Sequence, residues 1–255
     1  MCSSDLVLRL ITSSYLVGAC TGIGGGPASM AAGKATSSIP IVFLVAEDPV
    51  RLGLVASLAR PGGNATGINF FSAELAAKRL ELLRALVPGA TRVAILLNPT
   101  ETAIAAANLR DVETAARAMD LEIRVVNAST RDEIDAAYAT LARERPDGLF
   151  ISSGPFFSDR RVQMAHLATR YALPAIHGSR LYPEVGGLIS YGANIAHAYR
   201  QAGTYAARIL RGAKPADLPV EQSSKFELVV NLHAAKLAGI TVPPSLLAVA
   251  DEVIE

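Results

Sequence analysis

Short, wholly apolar runs alternate along this chain with helix-length segments, and that alternation restricts the fold more than any other feature. In Ile39–Ala46 the residues Ile41, Val42, Phe43 and Val45 are β-branched or aromatic and show no polar alternation. A parallel strand buried on both faces reads this way. Arg92–Leu97, Gly148–Ser152, Leu173–Ile176 and Gly187–Ser190 repeat the pattern, with further strands predicted at Thr66–Phe70, Glu122–Asn127 and Phe226–Asn231. Between them, Leu75, Leu80, Leu82, Leu83 and Leu86 give a helix over Glu74–Leu86, stopped by Pro88-Gly89. Thr102–Met119 is an Ala-rich helix. Ser129 and Thr130, followed by Asp132 and Glu133, cap a helix running to Arg145. Asp159–Arg170, Ile195–Leu210 and Leu232–Ala238 continue the series, and Pro243-Pro244 opens a last helix. Strand–helix alternation of this kind predicts parallel sheets with helices on both faces.

The strands from Arg92 to Tyr191 suffice for one complete lobe, whereas those before Phe70 do not form one alone. The expected division is therefore residues 1–70 as the N-terminal part of a first lobe, 71–192 as a second lobe, and 193–255 as a return segment that completes the first lobe and its hinge. The expected fold class is α/β: two Rossmann-like lobes with parallel sheets.

Composition removes several functional classes. A net charge of +1 across 255 residues leaves no basic footprint for nucleic acid. No apolar run reaches the roughly 18 residues of a membrane span. Two cysteines, Cys2 and Cys20, support neither a disulfide framework nor a zinc site. Gly22-Ile23-Gly24-Gly25-Gly26 precedes an Ala-rich helix at Ala28–Ala35, an arrangement that favours anions. Pro27 stands where a dinucleotide fingerprint needs glycine, and Ala28 and Ala35 break the phosphate-loop pattern around Gly33-Lys34. No cofactor is expected.

Val17-Gly18-Ala19-Cys20 resembles a lipoprotein signal-peptide box, which would place a lipid anchor on Cys20 if the N-terminus is genuine. Against it, Asp5 precedes Arg9, and Thr12-Ser13-Ser14 interrupts the apolar run that a signal peptide needs.

The predicted strand ends carry a polar and aromatic set: Asp48, Asn98, Ser153, Phe156, His177 and Tyr191. In open α/β sheets ligands sit beyond the carboxyl ends of strands, so these six are the candidate ligand-binding residues. Each has a plainer alternative. Asp48 before Pro49 is a good cap; Asn98-Pro99, Ser153-Gly154 and His177-Gly178 are common turn pairs; Phe156 and Phe157 can pack on a lobe surface; Tyr191 before Gly192 can be a hinge packing residue. Arg180 can pair with a carboxylate or stay solvated. No Gly-x-Ser-x-Gly elbow occurs, and His166, His177, His197 and His233 form no His-Glu-x-x-His pattern. No catalytic residues and no metal ligands are predicted.

Beyond these local readings, IPIVF, DPV, GLVASLARPGGNATG and ELAAKRLELL resemble the tryptophan/tyrosine-type family of ABC-transporter substrate-binding proteins, of type I periplasmic-binding-protein fold. The run Lys214–Glu255 resembles the same family's tail, so the likeness covers about Ala28 to Glu255. It implies a discontinuous first lobe and a ligand cleft between two lobes that close by a hinge. It also implies a small-molecule ligand, with aromatic and other amino acids as candidates, an ABC permease as partner, and an extracytoplasmic or periplasmic location. Such proteins begin with further strand–helix units not found here, so a first lobe truncated at its N-terminus is expected. An α/β enzyme acting on a small metabolite and a ligand-sensing regulatory domain are the alternatives.

Overall fold

The computed structural model describes residues 16–17, 25–45, 48–70 and 74–255. The proposed lipobox cysteine Cys20, the glycines Gly22 and Gly24, and Glu47 lie outside the described residues. The chain divides into two compact units, residues 1–71 with 193–225 and residues 72–192 with 226–255.

The first unit contains a sheet in the order β1 (Leu16–Val17), β2 (Ile41–Val45), β3 (Ala65–Asn69) and β9 (Glu221–Gln222), with every neighbouring pair parallel. Helix α1 (Gly25–Ala35) precedes β2. As the absence of polar alternation in β2 requires, its two faces bury into separate clusters. Ile41, Phe43 and Val45 pack with Ala32, Val55 and Val220. Val42 packs with Ile68 and with Ala198, Ala202, Tyr205 and Ile209 of helix α7 (Ile195–Leu210). Gly67 is required where β3 pairs with β2, because a Cβ there would overlap the Phe43 backbone.

In the second unit the sheet order is β11 (Glu252–Ile254), β10 (Phe226–Asn231), β8 (Ile189–Ala193), β7 (Ala175–His177), β6 (Gly148–Ile151), β4 (Arg92–Leu97) and β5 (Glu122–Asn127). The pairs from β5 to β8, and β10 with β11, are parallel. Asn231 N–H donates to Leu188 O at one end of the β8–β10 pair and Asn194 N–H to Lys225 O at the other, which sets β10 antiparallel to β8. Helices α2 (Glu74–Leu86) and α3 (Thr102–Ala118) pack on one face with Phe150, Ile176 and Ile189. Helices α4 (Arg131–Glu144) and α6 (Arg161–Arg170) pack on the other with Leu149, Ile151 and Ala175. The Thr130 hydroxyl accepts from Glu133 N–H at 3.2 Å and caps α4 as its sequence predicts.

The α/β class and the parallel sheets agree with expectation. Three details differ. Residues 193–225 join the first unit, but 226–255 add β10, helices α8 (Leu232–Leu237) and α9 (Pro244–Leu247), and β11 to the second. The return segment is thus shared, because Leu228, Val230, Val242 and Leu246 bury against α2 and the face carrying Ile176 and Ile189. The strand expected over Gly187–Ser190 instead runs Ile189–Ala193, with Tyr191 inside it. The helix expected over Asp159–Arg170 is broken, with a short α5 (Pro155–Asp159) ahead of α6, and Arg160 N–H closes α5 by donating to Phe156 O and Phe157 O.

Candidate functional site

Because β4, β6, β7 and β8 run parallel, their carboxyl ends lie along one edge of the second unit's sheet. Asn98, Ser153 and Phe156 follow the ends of β4 and β6, and His177 is the last residue of β7. Tyr191, expected just past a strand ending at Ser190, lies instead in the middle of β8. Asn98 follows β4 and is 3 % exposed. Its Oδ1 accepts from the Thr100 hydroxyl at 2.8 Å and from Thr100 N–H at 3.1 Å, the local turn that Asn before Pro favours. Glu101, in the same loop, accepts at Oε1 from Phe156 N–H at 3.1 Å. A Cβ at Gly154 would overlap the Glu101 carboxylate, so that glycine admits the contact. The loops after β4 and β6 are joined there. Phe156 is half-buried, with its ring edge-on to the fully buried Phe157 at 5.2 Å and the Arg160 guanidinium 5.7 Å from its centroid.

The residue that gathers the other strands is Arg79, which the strand-end pattern does not single out. It lies on the apolar stripe of α2, four residues after Leu75 and three and four before Leu82 and Leu83, and is 6 % exposed. Its Nε donates to Tyr191 O at 2.7 Å and its Nη1 to Ser153 Oγ at 3.2 Å, while its guanidinium carbon stands 5.8 Å from the Phe150 centroid. Burial pulls its pKa down to about 10. Gly178, after β7, completes the fit: a Cβ there would sit 2.5 Å from Arg79 Nη2 and 2.7 Å from Ser153 Oγ. Asn108 of α3 brackets Ser153, accepting from its N–H and donating to its carbonyl, both at 3.4 Å. Ser153 and Tyr191 are therefore brought together by Arg79. A lone arginine among leucines at helical spacing is the sequence signal that could have found it.

His177 sits differently. Its ring stacks on Tyr182 at 5.4 Å, within the cluster on the α4–α6 face, and is 2 % exposed. Nδ1 accepts from Ser179 N–H at 3.0 Å, so the neutral ring carries its proton on Nε2. Desolvation, helped by the nearby Arg79 charge, lowers its pKa to about 3. The Tyr191 ring lies against Phe226 at 6.2 Å. Arg180 takes the carboxylate-pairing alternative, with Glu184 at 2.7 Å, Glu252 at 2.8 Å and Glu227 at 3.2 Å.

In the first unit, Asp48 Oδ1 accepts from Val50 N–H at 2.9 Å and Arg51 N–H at 3.3 Å, capping a turn. A cavity of about 170 Å³ there is lined by Met30, Gly33, Lys34, Leu52, Asn64 and Ala65, none of them a predicted site residue. Among the described residues no three His, Cys, Asp or Glu side chains cluster as metal ligands, and no helix is long and apolar enough to cross a membrane.

Residues 10–254 match the family described as ABC transporter substrate binding protein. The chain belongs to that family. Its relatives include a curated tyrosine-binding protein of Clostridioides difficile, 29 % identical over 219 residues, or 82 % of this chain. The chain spans 60 % of the length of that relative. Among solved structures, a conserved domain protein from Vibrio cholerae superimposes with a TM-score of 0.84 at 27 % identity, covering 98 % of this chain and 82 % of that one. An ABC domain from Streptococcus pneumonia in complex with L-Trp has a TM-score of 0.82 at 25 % identity, with the same coverage. Both structures are similar to this chain in fold.

Proposed function

We propose that this chain is the extracytoplasmic solute-binding component of an ABC transporter, capturing an aromatic amino acid and delivering it to a permease. The family match over residues 10–254 carries the reading, supported by one relative named for tyrosine and another bound to L-Trp. On this reading Asn98, Ser153, Phe156 and Tyr191 are the ligand-contacting residues that the second unit offers, and Asp48 is the candidate that the first unit offers. His177, with its ring packed on Tyr182, supports the end of β7 from beneath. Binding proceeds without turnover, since these residues include no activated nucleophile and a neutral, buried histidine makes a poor proton carrier.

The test is a thermal-shift screen of the twenty amino acids, calorimetry on those that respond, and mass spectrometry of the mixtures. A ligand at a hundred times its Kd stabilises by about 2.7 kcal/mol. Phenylalanine, tyrosine or tryptophan should raise the melting temperature and be recovered unchanged. Absence of a response to all twenty would sink the amino-acid assignment. Turnover abolished by Asp48→Ala or His177→Ala would replace binding with catalysis.

A further inference from the structure

The guanidinium of Arg79 is a buried cation whose interactions leave most of its donors unused. Of its five N–H groups, Nε serves Tyr191 O and one on Nη1 serves Ser153 Oγ. Among the described residues no carboxylate pairs with it, whereas Arg180, which is more exposed, holds three. Taking a charge out of water is costly unless an opposite charge and further hydrogen bonds replace the lost hydration. The two acceptors present are a carbonyl and a hydroxyl, both neutral. The Ser153 hydroxyl accepts from Arg79, so its own hydrogen is free to donate outward. Gly178 keeps the space beside Nη2 and Ser153 Oγ clear of any side chain. Ser153 and Gly178 lie just beyond the carboxyl ends of β6 and β7, where ligands approach parallel sheets, and Tyr191 lies within the neighbouring β8.

We infer that Arg79, with the Ser153 hydroxyl, is the anion-recognition point of the second unit and takes the α-carboxylate of the ligand. This rests on the amino-acid reading and adds to it the ligand group that is recognised and the residue that reads it. Arg79 then has two tasks. Nε and Nη1 hold the strands in place, and the remaining donors supply charge-assisted hydrogen bonds to a planar two-oxygen group, for which a guanidinium is suited.

The discriminating measurement is calorimetry with L-tryptophan and L-tryptophanamide, which differ only in replacing the carboxylate by a neutral amide. Wild type should bind the acid roughly 10- to 100-fold more tightly. Arg79→Gln should bring that ratio close to one, Arg79→Lys should retain part of it, and Ser153→Ala should reduce it several-fold. Because the comparison is a ratio within each variant, partial unfolding of Arg79→Gln does not mimic the effect, and Ser153→Ala gives a second reading without removing the buried charge. An unchanged acid-to-amide ratio in Arg79→Gln, or a wild type that binds both alike, would reduce Arg79 to a fastener of strands and leave the amino-acid reading intact. If neither indole ligand binds wild type, the same ratio is measured on whichever amino acid responds in the screen, with its amide. If no amino acid responds, both the reading and this inference fall.

Discussion

Replacing Gly192 by alanine tests how tightly the ends of β7 and β8 are locked. The added Cβ would overlap the Gly178 carbonyl oxygen and lie 2.8 Å from its carbon, where ordinary contact begins at 3.4 Å. A side chain could rotate aside, but this obstacle is backbone, held in the β7–β8 ladder by the pairs Ile176↔Ile189 and His177↔Ser190. Relief therefore requires the two strand ends to separate, which also draws Tyr191 O away from Arg79 Nε. Overpacking typically costs 1–3 kcal/mol and sometimes more, and an immovable partner places this case at about 3 kcal/mol. For a unit of about 150 residues that is a fall of roughly 6–12 °C in Tm. Gly203, in the interior of α7 with no neighbouring atom within 4 Å of where a Cβ would lie, supplies the opposite sign: Gly203→Ala should stabilise by about 0.5–1 kcal/mol through helix propensity. Both are read by thermal and urea unfolding followed by circular dichroism. A Gly192→Ala protein that unfolds with the wild type would show that the strand ends yield freely and that Arg79 is not held as described.

Leu83 is 1 % exposed and packs over Gly148, where a Cβ would meet its side chain at 2.8 Å. Leu83→Ala should cost about 3 kcal/mol and Gly148→Ala about 1–2 kcal/mol, while the double variant should be less destabilised than the sum, because each change makes room for the other; additive losses in denaturant titration would refute the contact. A further prediction concerns pH. His177 is neutral when folded with its pKa lowered from 6.5 to about 3, so the unfolded chain takes up a proton first as acid is added. Its stabilising contribution is complete above pH 6.5 and is lost as pH falls towards 3, at up to roughly 1.4 kcal/mol per pH unit in that window. His177→Asn, whose Oδ1 can accept from Ser179 N–H, should flatten the curve of stability against pH there; an unaltered slope would move the acid sensitivity to other groups.

The alternation of apolar runs with helical segments was enough to specify α/β architecture and most element positions, because burial of both faces leaves a signature in the local sequence. The Thr130 cap and the strand-end positions of Asn98 and Ser153 were legible for a related reason: caps and turns are made by residues a few positions apart. Tyr191, expected at a strand end, lies inside β8, which runs on to Ala193. Which sheet β10 joins was not legible. FELVVN announces a strand, but the edge it pairs with is chosen by the burial of Leu228, Val230 and Leu246 against α2, a contact between residues some 150 positions apart. The direction of His177 was also hidden. In a strand apolar on both faces, nothing in the sequence marks which face the last residue takes. Arg79 shows the limit most clearly. Its place among leucines predicts burial, yet only the tertiary structure, by bringing the ends of β6 and β7 and the middle of β8 around one helix position, decides that a buried charge there meets a hydroxyl, a carbonyl and a glycine.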